Sequence, residues 1–290
     1  MQEFHGIIPY LVSPVDSATG QVREVALRRL VEELIHQGVH GLSPLGSTGE
    51  AVYLSFEQRL EIVRIVVDQA AGRVPVIPGV AAYTTRDAVL QAEAFTSAGA
   101  NGLVAILQVM FPLQRAGMAG FYTALAQASP LPLVIYTNPG LYGVDLPLDL
   151  IDELSAQPTI RYIKDASGNT GRIQSLINRC GERIKVFSAS AHLPAVVFQL
   201  GGVGWMAGPA CVIPRQCVEL YNLCQAGKWP EAYALQAQLW WVNELFQKYS
   251  LAAFIKAVLN LQGFDVGDPI PPQEPLSPGL IEPLVRSILK

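Results

Sequence analysis

One stretch of the chain places a lysine at the end of what otherwise reads as a buried strand. In "RYIKDAS", residues 161–167, an apolar run ends on Lys164. Burial of an ammonium group lowers its pKa, and the resulting neutral amine can attack a carbonyl carbon. There are two alternatives for Lys164. Its aliphatic part can pack on apolar neighbours while the ammonium group reaches water, or the ammonium group can pair with Asp165. The stretch therefore indicates a candidate nucleophile at Lys164.

A tyrosine at the end of another apolar run offers a group for proton transfer. In "VIYTNPG", residues 134–140, the residues after Tyr136 are typical of a turn that closes a strand. A phenol has a pKa of about 10, so at neutral pH it keeps its proton and can donate or relay it. Tyr136 can equally be a core tyrosine with a hydrogen-bonded hydroxyl. Its role depends on what the fold places beside it.

A glycine-rich loop, "PLGSTGEA" at residues 44–51, offers an anion site. Gly46 and Gly49 permit a tight turn with the backbone close to a ligand, and Ser47 and Thr48 supply hydroxyl groups. Backbone N–H groups on such a loop can hold a carboxylate or a phosphate. The spacing does not match a P-loop, because no lysine follows the second glycine. A simple turn that caps a helix is the alternative.

The elements that must position these residues alternate regularly along the chain. Between the strands lie segments of helical period, such as the stripe of Leu27, Leu30, Val31 and Leu34. The β-rich runs cover residues 6–12, 41–45, 74–80, 102–107, 133–137, 160–164, 184–188 and 203–207. Eight strands separated by single helices predict an α/β fold, a (β/α)8 TIM barrel. In such a barrel, chemistry takes place at the carboxyl ends of the strands, where all three stretches lie.

The pattern becomes purely helical after Pro214. The first of these helices can be the eighth helix of the barrel, and the later ones form a C-terminal helical appendix. We predict that residues 1–226 form the barrel and that residues 227–290 are helices packed as part of the same unit.

Composition excludes several kinds of partner. The chain has 290 residues, of which 50% are hydrophobic, and a formal net charge of -4, without a basic stripe that could follow a nucleic-acid backbone. The four cysteines and four histidines show no convincing metal-ligand spacing. No apolar stretch approaches the roughly 20 residues that span a bilayer, and the start lacks a secretory signal. We expect a soluble, cytoplasmic protein with no nucleic-acid or membrane partner, no metal and no cofactor.

The three stretches together resemble a known family. "GSTGE", "YTNPG" and "IKDASGN", in this order, are similar to the dihydrodipicolinate synthase and N-acetylneuraminate lyase family of class I aldolases, and "GIIPYLVSPVD" and "IKAVLNLQG" extend the resemblance over essentially the whole chain. The resemblance implies a barrel, commonly a homotetramer, that binds pyruvate or another small 2-oxo acid through an imine. It implies that Lys164 forms the Schiff base, that Tyr136 transfers protons with Ser47, and that Ser47 and Thr48 hold the substrate carboxylate.

The chain departs from the family pattern at positions that concern the second substrate. Leu141 stands where dihydrodipicolinate synthases place an arginine that binds the aldehyde's carboxylate. Met110 stands where many members take a second tyrosine from a neighbouring subunit into a proton relay. Ser190 lies where sialic-acid lyases present acidic side chains to the sugar. The predicted substrate-binding set is Thr48, Gly46, Ser190, Met206, Met110 and Leu141.

These residues predict a lyase or aldolase that acts on a 2-oxo acid through an imine on Lys164, by aldol cleavage or condensation or by dehydration. Two alternatives within the family are 4-hydroxy-tetrahydrodipicolinate synthase itself and a silent member that binds 2-oxo acids without turnover. A metal-assisted barrel isomerase or aldolase is a third alternative, although the sequence offers neither a histidine cluster nor a clear phosphate loop for it.

Overall fold

The sheet is parallel and curls into a barrel. The computed structural model describes residues 3–277 and 279–283 of the chain. In this part the sheet has seven strands in the order β1-β7-β6-β5-β4-β3-β2. The strands are β1 (Gly6–Pro9), β2 (Gly79–Ala82), β3 (Leu103–Leu107), β4 (Leu133–Thr137), β5 (Ile160–Asp165), β6 (Lys185–Ser188) and β7 (Gly204–Ala207).

The predicted second strand, residues 41–45, is not a regular strand, and that prediction is corrected here. Ser43 and Leu42 instead form isolated parallel bridges to Tyr10 and Val76, respectively. Pro44 has no N–H to donate, and Leu45 adopts a left-handed φ of 64°, so the extended conformation cannot continue. The bridges still close the ring, since this segment hydrogen-bonds on one side to the end of β1 and on the other to the chain before β2.

The helices surround the sheet, and their bounds are as follows. They are α1 (Glu24–His36), α2 (Phe56–Ala70), α3 (Thr85–Ser97), α4 (Arg115–Ala128), α5 (Pro139–Tyr142), α6 (Leu148–Leu154), α7 (Thr170–Cys180), α8 (Pro194–Gln199), α9 (Pro214–Gln225), α10 (Trp229–Lys248) and α11 (Leu251–Leu261). Short 3-10 turns lie at Ala51–Tyr53, Gly181–Arg183 and Pro209–Cys211.

Local sequence explains the helices. In α1 the predicted stripe is confirmed, because Leu27, Leu30, Val31 and Leu34 are all buried. In α2 a capping box starts the helix, with the Ser55 hydroxyl accepting a hydrogen bond from the backbone N–H of the third helical residue. The later helices α10 and α11 pack against each other, and α10 also packs against α8 and α9. At the end of the predicted helical segment 227–290, residues 279–283 are helical and residues 284–290 lie outside the described residues.

The register of the sheet sets the site residues side by side. Tyr136 on β4 pairs with Lys164 on β5, which in turn pairs with Phe187 on β6. Residues in register on parallel strands point to the same face, and these lie near the carboxyl ends of their strands. The fold therefore brings the lysine and the tyrosine to one level at the mouth of the barrel.

Candidate active site

The amine of Lys164 lies inside the barrel, between two aromatic rings. The residue is 5% exposed. Its Nζ lies 3.8 Å from the centre of the Tyr10 ring and 4.0 Å from the centre of the Tyr136 ring. Burial in this apolar surrounding lowers the pKa of the amine well below its ordinary value. The geometry favours a neutral, nucleophilic amine at moderate pH.

The neighbouring carboxylate is directed elsewhere. Asp165 follows Lys164 in the strand and faces the opposite side, as successive strand residues do. It accepts hydrogen bonds from Arg172 Nε at 2.7 Å and from the Ser167 hydroxyl at 2.5 Å, and it lies 3.4 Å from His192 Nε2. These donors lower the pKa of Asp165 against the opposing effect of burial, which is the largest single contribution. Pairing of Lys164 with Asp165, one alternative from the sequence, is therefore not what the structure shows.

The phenol of Tyr136 is held in a defined orientation. Asn138 Nδ2 donates a hydrogen bond to the Tyr136 hydroxyl oxygen at 2.9 Å. Because that oxygen accepts from Asn138, its own proton remains available for another partner. Burial raises the pKa of Tyr136, and hydrogen bonding to Asn138 and Ser47 opposes that rise. The phenol thus keeps its proton at neutral pH beside the amine.

The glycine-rich loop packs closely against the residues around the amine. A side chain at Gly46 would run into the ring of Tyr10, the same ring that covers the Lys164 amine, so only glycine fits there. A Cβ on Gly49 would come within 2.9 Å of a backbone oxygen, and the Ser13 hydroxyl donates to the Gly49 carbonyl oxygen at 2.6 Å. The close approach holds the backbone of residues 46–49 in place against the barrel.

A buried ion pair anchors the end of this loop. Glu50 is 2% exposed and Lys256, on α11, is 0% exposed. Glu50 Oε2 lies 2.6 Å from Lys256 Nζ, and Oε1 accepts hydrogen bonds from the Ile270 backbone N–H at 2.6 Å and from Gln273 Nε2 at 2.8 Å. Burial lowers the pKa of Lys256, and Glu50 opposes this. The pair ties the candidate anion loop to the C-terminal part of the chain.

These groups share one cavity of about 760 Å³ at the carboxyl ends of the strands. Seven of the predicted site residues line it, namely Lys164, Tyr136, Ser47, Thr48, Gly46, Ser190 and Leu141. Met206 is fully buried in the barrel and Met110 is 72% exposed, and neither belongs to the lining. The roles of all nine stay predictions.

Other lining residues had no functional signal in the sequence. Gln108 follows β3, and Phe246 and Gln247 come from α10. Tyr142, at the end of α5, stacks edge-to-face on Tyr136 with ring centres 5.8 Å apart. The sequence does not predict this ring contact, because it depends on the single helical turn of α5, which brings the chain back over Tyr136. The cavity wall is therefore built from parts of the chain that are distant in sequence.

Charge in the cavity is sparse. Among the described residues that line it, Lys164 is the one cation and Glu50 the one carboxylate, and Glu50 is paired with Lys256. The rest of the lining is aromatic, aliphatic or neutral polar. Within residues 3–277 and 279–283, three or more His, Cys, Asp or Glu residues do not gather in a way that could hold a metal ion. In the same part of the chain, no helix is long and apolar enough to cross a membrane.

The chain matches known proteins over nearly its whole length. The sequence model of the dihydrodipicolinate synthetase family matches residues 3–288. This chain belongs to that family. A 4-hydroxy-tetrahydrodipicolinate synthase of Methanospirillum hungatei is 34% identical over 79% of both chains. One of Acidiphilium cryptum is 33% identical over 90% of this chain and 89% of its own.

Solved structures of the dihydrodipicolinate synthetase family share the fold. The dihydrodipicolinate synthase of Acinetobacter baumannii, solved with pyruvate, has a TM-score of 0.92 at 28% identity, covering 98% of this chain and 97% of its own. A prophage protein of the family from E. coli K12, also with pyruvate, has a TM-score of 0.91 at 28% identity, covering 99% and 97%. The predicted barrel fold, family and class I lyase activity are confirmed.

The imine formation predicted for Lys164 should have a rate that depends on pH in a way that reports the burial of the amine. Only the neutral amine attacks, so the rate constant for trapping pyruvate with cyanoborohydride rises as pH passes the pKa of Lys164. Because burial lowers that pKa, the rate should level off well below pH 10.5, the ordinary value for lysine. Mass spectrometry over a pH series measures it. Free Nα-acetyl-lysine is measured in parallel, and its rate constant should keep rising up to about pH 10.5. The same behaviour in the enzyme would contradict a buried amine at Lys164.

Proposed function

We propose that this lyase acts on pyruvate or another small 2-oxo acid through an imine on Lys164. The observation that carries the proposal is the buried amine beside the Tyr136 phenol, opening into one cavity with the hydroxyls of Ser47 and Thr48. The Lys164 amine attacks the C2 carbonyl, and water leaves as the C=N bond forms. The protonated imine then accepts the electron pair released when a C3–H or C3–C4 bond breaks, so the chemistry proceeds without a metal.

The remaining side chains supply binding and proton transfer. The loop hydroxyls of Ser47 and Thr48, with the loop's backbone N–H groups, hold the substrate carboxylate. Tyr136, whose proton is free, passes protons to and from the leaving water and the reacting carbon. Ser190 and Leu141 also line the cavity, and we assign them to the binding of the second substrate, beyond C3 of the 2-oxo acid. By resemblance to the family we also propose a cytoplasmic homotetramer, in which Met110 and Met206 contribute to the site.

The charge of the cavity indicates a neutral aldehyde as the second substrate. The protonated imine on Lys164 is the positive partner of the 2-oxo acid's own carboxylate, and a second buried carboxylate needs a further cation, because an unpaired buried charge is costly. Among the described lining residues the one cation is the amine that forms the imine, and Leu141 stands where the arginine of dihydrodipicolinate synthases is expected. Condensation with, or release of, an uncharged aldehyde fits this lining. 4-Hydroxy-tetrahydrodipicolinate synthase activity is the second candidate, favoured by the names of the relatives at 33–34% identity.

A panel of aldehydes distinguishes the two candidates. The purified enzyme is incubated with pyruvate and either neutral aldehydes or aldehydes that carry a carboxylate, and the condensation products are quantified. The proposal predicts the higher kcat/KM for a neutral aldehyde. A clear preference for a carboxylate-bearing aldehyde would support the second candidate instead. Imine trapping without any product from either group would indicate a binding member that has lost turnover.

Loss of the Tyr136 hydroxyl should slow proton transfer while sparing the site. We expect Tyr136→Phe to reduce the exchange of pyruvate C3 hydrogens with deuterium from solvent by about 10²- to 10⁴-fold, the usual contribution of a general acid or base. The ring still covers the Lys164 amine, so imine trapping persists. Proton NMR of pyruvate in D2O measures the exchange. Exchange as fast as in the parent would show that another group transfers the proton.

A further inference from the structure

Tyr10 is a second aromatic residue at the Lys164 amine, and unlike Tyr136 it does not line the cavity. It directly follows β1, it is 1% exposed, and its ring centre lies 3.8 Å from Lys164 Nζ. The centre of the Tyr136 ring lies 4.0 Å from the same nitrogen. The two ring centres are 6.3 Å apart and the ring planes meet at 37°. The nitrogen of the amine therefore lies over two aromatic rings at once.

Backbone contacts and close packing hold Tyr10 in a defined position. Its backbone N–H donates a hydrogen bond to the carbonyl oxygen of Ala207 on β7 at 3.2 Å, and its own carbonyl oxygen accepts one from the Cys211 thiol at 2.9 Å. The glycine-rich loop limits the ring on another side, because a side chain at Gly46 would collide with it. The ring is therefore fixed over the amine before any substrate binds.

The ring of Tyr10, rather than its hydroxyl group, makes the contact with the amine. The hydroxyl is buried and has no hydrogen-bond partner among the described residues. A buried polar group without a partner costs free energy, so the hydroxyl does not account for the placement of this residue. The ring does, because its face covers the nitrogen that the proposed chemistry uses.

No side-chain carboxylate among the described residues is placed to neutralise a charge on this nitrogen. Asp165 faces the other side of β5, where it binds Arg172. Glu50, the one carboxylate among the described residues that line the cavity, pairs with Lys256. The free amine needs no such partner, because burial lowers its pKa. The protonated imine does carry a positive charge on the same nitrogen, and apart from the substrate's own carboxylate that charge meets aromatic rings.

Resting on the proposed imine chemistry, we propose that Tyr10 is a catalytic residue whose ring, together with that of Tyr136, stabilises the protonated imine on Lys164 by a cation–π interaction. The face of an aromatic ring attracts a cation within about 6 Å of its centre, most strongly where water is excluded. As the C=N bond forms and water leaves, the nitrogen keeps one proton and becomes positive between the two rings. A ring face has no basic lone pair, so it stabilises this cation without removing its proton.

Fluorinated phenylalanines at position 10 test the interaction, because each fluorine withdraws negative charge from the ring face and changes the size of the ring little. Tyr10→Phe keeps the ring and starts the series, and phenylalanines with one, two and three fluorines follow by nonsense-codon suppression. Borohydride reduction and intact-mass spectrometry give the pyruvate concentration at which half of the enzyme is present as the imine. We expect this concentration to rise with each added fluorine, by about 10-fold over the series.

The same fluorinated series at Phe95 is the matched control. Phe95 is fully buried on α3, outside the sheet, so its variants should all need the same pyruvate concentration as the parent. If the Tyr10 ring acts only by excluding water, the variants at position 10 will not differ with fluorine number, and that result would overturn the proposal. A parent enzyme that forms no imine at any pyruvate concentration would instead overturn the proposed function, so the two failures are distinguishable.

Discussion

Replacing Lys164 with methionine should abolish turnover while leaving a folded protein. Methionine has nearly the same length and no amine, so no imine can form, and we expect kcat to fall by at least about 10³-fold. The thioether suits the space between the rings of Tyr10 and Tyr136. Since the change also removes a buried amine, the variant should unfold at the same or a higher temperature. Product formation and calorimetry measure the two effects.

Two further variants control this result. Lys164→Arg keeps a positive charge, but a guanidinium stays protonated and cannot attack a carbonyl, so it should be equally inactive. Lys185→Met changes a lysine that begins β6, on the next strand, where it pairs with Glu3 at 2.8 Å far from the cavity. It should turn over like the parent. Turnover by Lys164→Met above one tenth of the parent rate would mean that another group does the chemistry.

Breaking the buried pair of Glu50 and Lys256 should have the largest effect on stability. Removing one partner leaves the other charge buried without compensation, which typically costs about 3–5 kcal/mol. We therefore expect Lys256→Met to lower the free energy of unfolding by roughly this amount. Glu50 ends the glycine-rich loop at residues 44–51 and also accepts hydrogen bonds from the Ile270 backbone and Gln273. Without Lys256 this anchor weakens, so we expect the loop to loosen and the KM for pyruvate to rise. Denaturant unfolding and initial rates measure these changes.

The ion pair of Lys185 and Glu3 serves as the control for the buried pair. Lys185→Met breaks an exposed ion pair, and such pairs contribute little because water screens them. Its stability should stay close to that of the parent. In the double variant Glu50→Gln with Lys256→Met, no unpaired charge remains, so part of the lost stability should return. If Lys256→Met proves as stable as the parent, the pair does not anchor the loop.

The candidate site residues that lie at the ends of apolar strands could be predicted from the sequence. Lys164 and Tyr136 could be placed because each ends an apolar strand, and parallel strands put such ends at one mouth of the barrel. The glycines of the loop also carried a signal, since Gly46 leaves room for the Tyr10 ring. The chemistry of the pocket floor could thus be predicted from residue type and strand position.

Other features depend on contacts that pattern does not encode. The pairing of Glu50 with Lys256 joins residues about two hundred positions apart, and no local rule predicts it. Tyr142 reaches the site through a helix of four residues, too short to show a periodic pattern. The predicted second strand failed because Pro44 and the left-handed Leu45 interrupt it, although its bridges still close the barrel. In each case tertiary packing, rather than local preference, determines the outcome.

In the proposed function, Lys164 is the residue that joins the substrate. The most direct measurement is reduction of the enzyme with borohydride in the presence of pyruvate, followed by proteolysis and tandem mass spectrometry. We expect one stable pyruvate-derived adduct per chain, on the peptide that contains Lys164, and none on Lys256. An adduct on a different lysine, or an enzyme that turns over substrate yet gives no adduct, would contradict it.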